Sequence, residues 1–268
     1  MRIPLLCTAA LLLLSFAGCH RRAAVFTAAT NASEPRTMLW AWETPEDLTT
    51  LDPAKTGVAF LAEELFLQPA GTAQAYTIRP RRQPLLLPAN AWLMADVRLE
   101  SAARTDTSKH AQQQIAAAIA AIASLPRVRA VQVDFDALYS QRQFYAGMLS
   151  ELRKLLPPGM PLSITALVSW CGAHDDWLAG VPAHTVDEAV PMFFRMGGPG
   201  ATRALAPRSR AGIVEPLCAG SVGVATDEAW PAIDSRQRVY LFRTGPWTQK
   251  DIARINALGY EGSRDITK

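Results

Sequence analysis

Cysteine is scarce, neither sign of charge dominates, and no long hydrophobic run occurs after the first twenty residues. Each absence excludes something. The 27 Lys and Arg residues against 24 Asp and Glu are too even a balance for a nucleic-acid partner, whose affinity rests on a basic surface. The basic residues are also spread along the chain rather than gathered on one helix. A membrane-spanning helix needs roughly 20 apolar residues, and nothing beyond Cys19 supplies them. No Walker, Rossmann or zinc-finger pattern is present. His110, His174 and His184 have no partners at metal-ligand spacing, and His174-Asp175-Asp176 reads as the opening of a short helix. No cofactor and no metal is therefore expected.

What is present begins with an export signal. Arg2 gives a positive start, and Leu5 to Ala17 is uncharged and apolar, which has the proportions of a signal peptide. It ends in Phe16-Ala17-Gly18-Cys19, which resembles the bacterial lipobox, in which the cysteine becomes the lipidated first residue of the mature chain. An ordinary secretory signal is the alternative. The expected organisation is a signal peptide over residues 1–18, a lipidated tether over 19–36 and one domain over 37–268. This implies a bacterial cell-envelope protein held to a membrane through Cys19, with the outer membrane facing the periplasm as the expected address. Of the four cysteines, only Cys171 and Cys218 then remain in the domain, either bridged or both free. If they end strands separated by one other strand, their backbones are roughly 10 Å apart, and a bridge needs bending loops.

The domain alternates β-rich runs with helical ones, the pattern of an α/β fold with a mainly parallel sheet. Strands are predicted at Met38–Trp42, Val58–Leu67, Trp92–Leu99, Ala130–Phe135, Leu162–Val168, Val186–Phe194, Gly212–Leu217 and Val239–Phe242, with Ala75–Arg79 folding back on the second as a hairpin. The clearest helix carries Ala111, Ile115, Ala118, Ile119, Ile122 and Leu125 on one stripe. A second runs from about Leu138 to Leu156. The last, Gln249 to Leu258, is closed by Gly259 as a C-cap. Eight strands in a domain of this length suit a TIM-barrel-like (β/α)8 fold with several short helices. An open doubly wound sheet is the alternative.

In a barrel the chemistry collects at the C-terminal ends of the strands. Those ends carry Trp42 and Glu43, then Asp134 and Asp136, then Trp170, Met192 and Arg195, and finally Glu215 before Pro216. Residues two apart on a strand share a face, so Asp134 and Asp136 both point into the lumen. Neighbouring carboxyls push their pKa values apart, and one can stay protonated as an acid. Asp136 could instead cap the following helix. Trp42 and Trp170 offer faces that suit sugar rings, although a tryptophan at a strand end also packs between sheet and helix.

The segment Val131-Gln132-Val133-Asp134-Phe135-Asp136 resembles the fourth-strand motif of chitinase-type family-18 glycoside hydrolases, and Met192-Phe193-Phe194 resembles their sixth-strand Met-x-Tyr. The whole mature chain also looks like an uncharacterised family of bacterial exported proteins. The resemblance implies a barrel and a polysaccharide or oligosaccharide ligand. It departs where it matters most: Leu138 stands at the place of the catalytic Glu, Val131 at that of the first Asp, and Arg195 at that of the sixth-strand Asp. An active enzyme would therefore need its second carboxyl elsewhere, and Glu215 at the end of the seventh predicted strand is the candidate. Three readings stay open: a glycoside hydrolase-like protein using Asp134, Asp136 and Glu215, a non-catalytic saccharide binder, and an assembly lipoprotein docking a protein.

Overall fold

The computed structural model describes residues 34–101, 104–195 and 212–257. The expectations for Cys19 and Gly259 lie outside those residues. Eleven strands are present among the described residues: β1 (Thr37–Ala41), β2 (Glu46–Asp47), β3 (Thr56–Leu67), β4 (Tyr76–Pro80), β5 (Leu85–Leu86), β6 (Leu93–Glu100), β7 (Val128–Asp134), β8 (Leu162–Leu167), β9 (Glu188–Met192), β10 (Ser221–Ala225) and β11 (Arg238–Phe242). Helix α1 (Lys109–Ile122) joins β6 to β7, α2 (Arg142–Leu155) joins β7 to β8, and α3 (Gln249–Ala257) follows β11.

Strands β1, β3, β6, β7, β8, β9, β10 and β11 pair in parallel, and β1 bonds both β3 and β11, so the eight close into a barrel. The fold is TIM-barrel-like, as the alternation predicts, and the open sheet is excluded. The hairpin is also present. The first half of β3 pairs with β1, and its second half, past a bulge between Leu61 and Glu63, pairs antiparallel with β4. The bulge inserts one residue and bends the strand, which lets β3 leave the barrel wall above β1 and continue as the hairpin.

Period-two alternation divides each strand between two environments. Met38 and Trp40 of β1, Met94 of β6, Ala130 of β7, Val190 and Met192 of β9 and Tyr240 of β11 fill the lumen. Val97, Val131, Val133, Ile164 and Ala189 face outward onto α1 and α2. Leu39, Val58, Val222, Val224 and Leu241 face α3 on the other side. Helix α1 starts where the Ser108 side chain accepts from the Ala111 amide at 3.2 Å, satisfying one of the free N–H groups of the first turn. Its buried residues are Ala111, Ile115, Ala116 and Ile119, small enough to bring the helix close to α2 and the wall.

The predicted seventh strand is corrected. Gly212–Leu217 forms no barrel strand; Ile213 makes one isolated antiparallel bridge to Gly172, and Pro216–Cys218 is a 3-10 turn. The seventh barrel strand is β10. Its Gly223 is demanded by the lumen: a Cβ there would lie 2.8 Å from Cη2 of Trp40. The shifted strand also decides the cysteines. Cys218 sits in the turn before β10, on the outside of the wall beside Cys171, and the two are bonded with Cα atoms 5.9 Å apart.

Candidate functional site

At the C-terminal mouth of the barrel lies a cavity of about 350 Å³, within the range of small-molecule sites. One wall is aromatic. Trp40 rises from β1, and Trp42 follows at the strand's end. Phe194 and Phe242 stack on each other with ring centroids 4.9 Å apart. Phe194 meets Trp40 edge-on at 6.1 Å. Trp40 cannot swing away, because its indole N–H donates to Oε1 of Gln132 at 2.7 Å. Trp42 is held differently, with the Arg98 guanidinium over its ring at 5.7 Å.

The opposite wall is charged and comes from β6, β7 and β8. Arg98 and Asp134 are register partners on adjacent strands, and Nη1 of Arg98 donates to Oδ2 of Asp134 at 2.7 Å. The other Asp134 oxygen accepts from the Thr165 hydroxyl at 2.6 Å. Asp134 is thus engaged on both oxygens. Asp136, two residues on, lies 4.0 Å from Nη2 of Arg98, with its side chain 41% exposed. Burial, and then the negative charge of Asp134, push the Asp136 carboxyl up to about 6 despite the partly compensating Arg98. Burial works against the charge of Arg98 itself, but Asp134, Glu100 and Asp136 around it hold its proton more firmly than usual. Two carboxyls under one guanidinium therefore differ in character, one fixed by hydrogen bonds and one able to carry a proton near neutrality.

Beneath this pair, on β6, is Asp96. It lines the cavity, is 0% exposed, and neither carboxyl oxygen has a hydrogen-bond partner. Burial, followed by the nearby Asp134, raises its pKa well above the carboxylate range, with Arg98 opposing.

The site-residue expectations divide. Asp134, Asp136, Trp42, Met192 and Arg195 all line the cavity. Arg195 is exposed at the rim and pairs through Nε with Glu228 at 3.0 Å. Asp136 does not cap a helix: the turn after it is closed by Oε1 of Gln141, which accepts from the Leu138 amide at 2.9 Å. Three other expectations are corrected. Trp170 is 1% exposed in the outer core, edge-on to Trp177 with centroids 4.9 Å apart. The 3-10 turn Val168–Cys171 turns it away from the mouth, so it packs between barrel and helices. Glu215 lies before β10, not at its end, and its carboxylate accepts from the Leu217 amide at 3.2 Å. Glu43 accepts from the Arg82 amide at 3.0 Å and stabilises the start of the chain that follows the hairpin. None of the three is among the cavity's lining residues.

Asp96, Arg98 and Thr165 were missed. The signal was available for the first two, since Trp92-Leu93-Met94-Ala95-Asp96-Val97-Arg98-Leu99 places two charges two apart in an otherwise apolar strand. Among the described residues no group of three or more His, Cys, Asp or Glu side chains is arranged to hold a metal ion. Asp175 of the histidine-containing segment is instead held by Arg142 at 3.0 and 2.7 Å.

No family model matches the chain, and no curated protein matches it. Among solved structures, the Bacillus cereus spore cortex-lytic enzyme SleL is distantly similar, with a TM-score of 0.42 and 17% identity over 72% of this chain. The match covers 50% of that enzyme's length.

Proposed function

We propose that the mouth is a carbohydrate site and that the protein is a cell-envelope glycoside hydrolase-like protein acting on a polysaccharide. Asp136 carries this reading. A proton donor works best with a pKa near the operating pH, and Asp136, pushed up to about 6, stands half-open in a cavity whose facing wall is aromatic. Such a wall matches the apolar faces of a sugar ring. In this reading Asp136 exchanges the proton, Asp134 supplies the second carboxyl that glycoside hydrolysis requires, and Arg98 keeps the two in register.

A second reading, binding without turnover, is favoured by Leu138. It is 58% exposed and lies outside the cavity lining, so no carboxyl occupies the place that the resembled hydrolases use. The test is a screen of the purified protein against envelope and exopolysaccharide glycans, measuring binding and new reducing ends. Asp136→Asn keeps the shape and removes the exchangeable proton. Under the catalytic reading, turnover falls by about 10²–10⁴-fold with little change in Tm. Wild type that binds and never cleaves supports the second reading. A protein inert to every glycan overturns both, and docking of a protein partner takes their place.

The anchor belongs to the same proposal. Cys19→Ala should release the protein from membranes or leave it as unprocessed precursor in cell fractionation. A variant still acylated and membrane-bound would refute the lipid anchor.

A further inference from the structure

A closed barrel lumen is normally filled by bulky apolar side chains, and β6 supplies one at Met94 but a carboxyl at Asp96. Among the described residues neither oxygen of the Asp96 carboxyl has a hydrogen-bond partner. On one side its register partner is Leu61, and on the other it is Gln132. The Gln132 amide is turned to other partners, its oxygen accepting from the Trp40 indole at 2.7 Å and its nitrogen donating to the Ser163 hydroxyl at 2.9 Å. The nearest charges, Asp134 and Arg98, are paired with each other one layer above. A buried polar group with no partner is costly, and each one in a native structure calls for an explanation. Here the group lines the cavity and lies at its inner end.

We infer that Asp96, a buried and unpartnered carboxyl lining the cavity, is a specificity-determining residue of the mouth that exchanges hydrogen bonds with a hydroxyl group of a bound sugar. The inference rests on the carbohydrate reading and goes beyond it by naming the group that reads the ligand's deepest substituent. Burial and the adjacent Asp134 both favour the protonated form, and a protonated carboxyl has one donor and one acceptor. One hydroxyl supplies the complementary acceptor and donor. A site built to hydrogen-bond a hydroxyl rejects an analogue lacking it, because the site's polar group is then left unpaired. The ring lies against Trp40 and Phe194 and directs one substituent past Arg98 toward Asp96.

Two substitutions separate this role from a structural one. Asp96→Asn retains a neutral donor and acceptor of the same shape. Asp96→Leu restores the usual lumen residue and removes the unpartnered carboxyl. Binding is measured with methyl glucoside, methyl mannoside and methyl N-acetylglucosaminide as probes, and folding by Tm. Wild type and Asp96→Asn should bind the same probe with similar Kd. Asp96→Leu should keep or raise Tm yet bind at least about tenfold more weakly. An infrared difference spectrum of wild type against Asp96→Asn at pH 7 should show a protonated-carboxyl band that the variant lacks. If Asp96→Leu binds as tightly as wild type, this inference fails and the carbohydrate reading stands. If the infrared band is absent, the inference fails whatever the ligand, and that measurement holds even should Asp96→Leu not fold. Wild type inert to these probes and to every glycan of the screen overturns the carbohydrate reading and this inference with it.

Discussion

At the N-terminal end of the barrel, Glu188 of β9 accepts from Arg238 of β11, from the Ser221 hydroxyl of β10 and from the Tyr240 phenol. Arg238 also pairs with Glu34 and donates to the Pro35 carbonyl at 3.1 Å. At the C-terminal end, Asp96 has no partner and Asp136 has only a 4.0 Å approach to Arg98. Both ends bury carboxyls in the same lumen, only a few residues apart along the strands. At the first end the polar groups satisfy one another and tie Glu34 and Pro35, just ahead of β1, to the wall. At the second, the buried Asp96 carboxyl is left without a partner among the described residues. Low dielectric makes a satisfied network rigid and an unsatisfied group expensive, and the proposed ligand would complete the arrangement at the second end.

Removing one partner at each end should break the contrast most visibly. Arg238→Met strands the Glu188 and Glu34 carboxylates in the closed network, and a broken buried pair costs about 3–5 kcal/mol. Chemical denaturation should show this loss, while ligand affinity at the mouth stays unchanged in whatever fraction folds. A loss below about 1 kcal/mol would mean that the lower network is no more than a surface ion pair. Arg98→Met at the mouth should cost less, about 1–3 kcal/mol, because Asp134 keeps the Thr165 hydroxyl and Arg98 is itself 28% exposed. Its clearer effect is electrostatic. With the guanidinium gone, the Asp136 carboxyl should titrate above its present value of about 6, as read by carboxyl NMR. An unchanged or lower value would remove Arg98 from the account of the site.

The same contrast explains what could be read from the sequence. The barrel was legible because alternation and helix stripes are local, and Asp134 and Asp136 were legible because two residues apart on a strand means one face. The seventh strand was not. Ser221-Val222-Gly223-Val224-Ala225 carries a central glycine, which ordinarily weakens a strand. Only the Trp40 ring, reaching across the lumen face from β1 two strands away, makes glycine necessary there. The more strand-like Ile213-Val214 run instead lies along the outer wall, bonded to the Cys171 carbonyl. That slip moved Glu215 to a rim it does not reach and set the cysteines too far apart. Trp170 failed for a related reason: a tryptophan after a strand fits either side of the wall, and a single 3-10 turn decides which. Asp96 was overlooked because a buried carboxyl without a partner can be recognised only once its neighbours are known.

The smallest expected effect concerns pH, and it tests the mouth without any ligand. A folded-state pKa of about 6 for Asp136 lies above the unfolded value of about 3.9. Between those two values the folded state binds more protons than the unfolded one. Stability contributed by this group is therefore present below about pH 4 and is lost as pH rises toward 6. Asp96 acts in the same direction, whereas Asp251, whose carboxyl is lowered, acts in the opposite one. The whole-protein curve mixes these, so the informative quantity is the difference between wild type and Asp136→Asn. Denaturation midpoints at pH 4, 5, 6 and 7 should show the wild type losing ground to the variant across pH 4–6 and no further divergence above about pH 6.5. The change should stay modest, since the side chain is 41% exposed and solvent screens it. Parallel curves across the window would mean that Asp136 titrates like an ordinary surface carboxyl, and the proton donor of the proposed chemistry would have to be sought in Asp134 or Asp96.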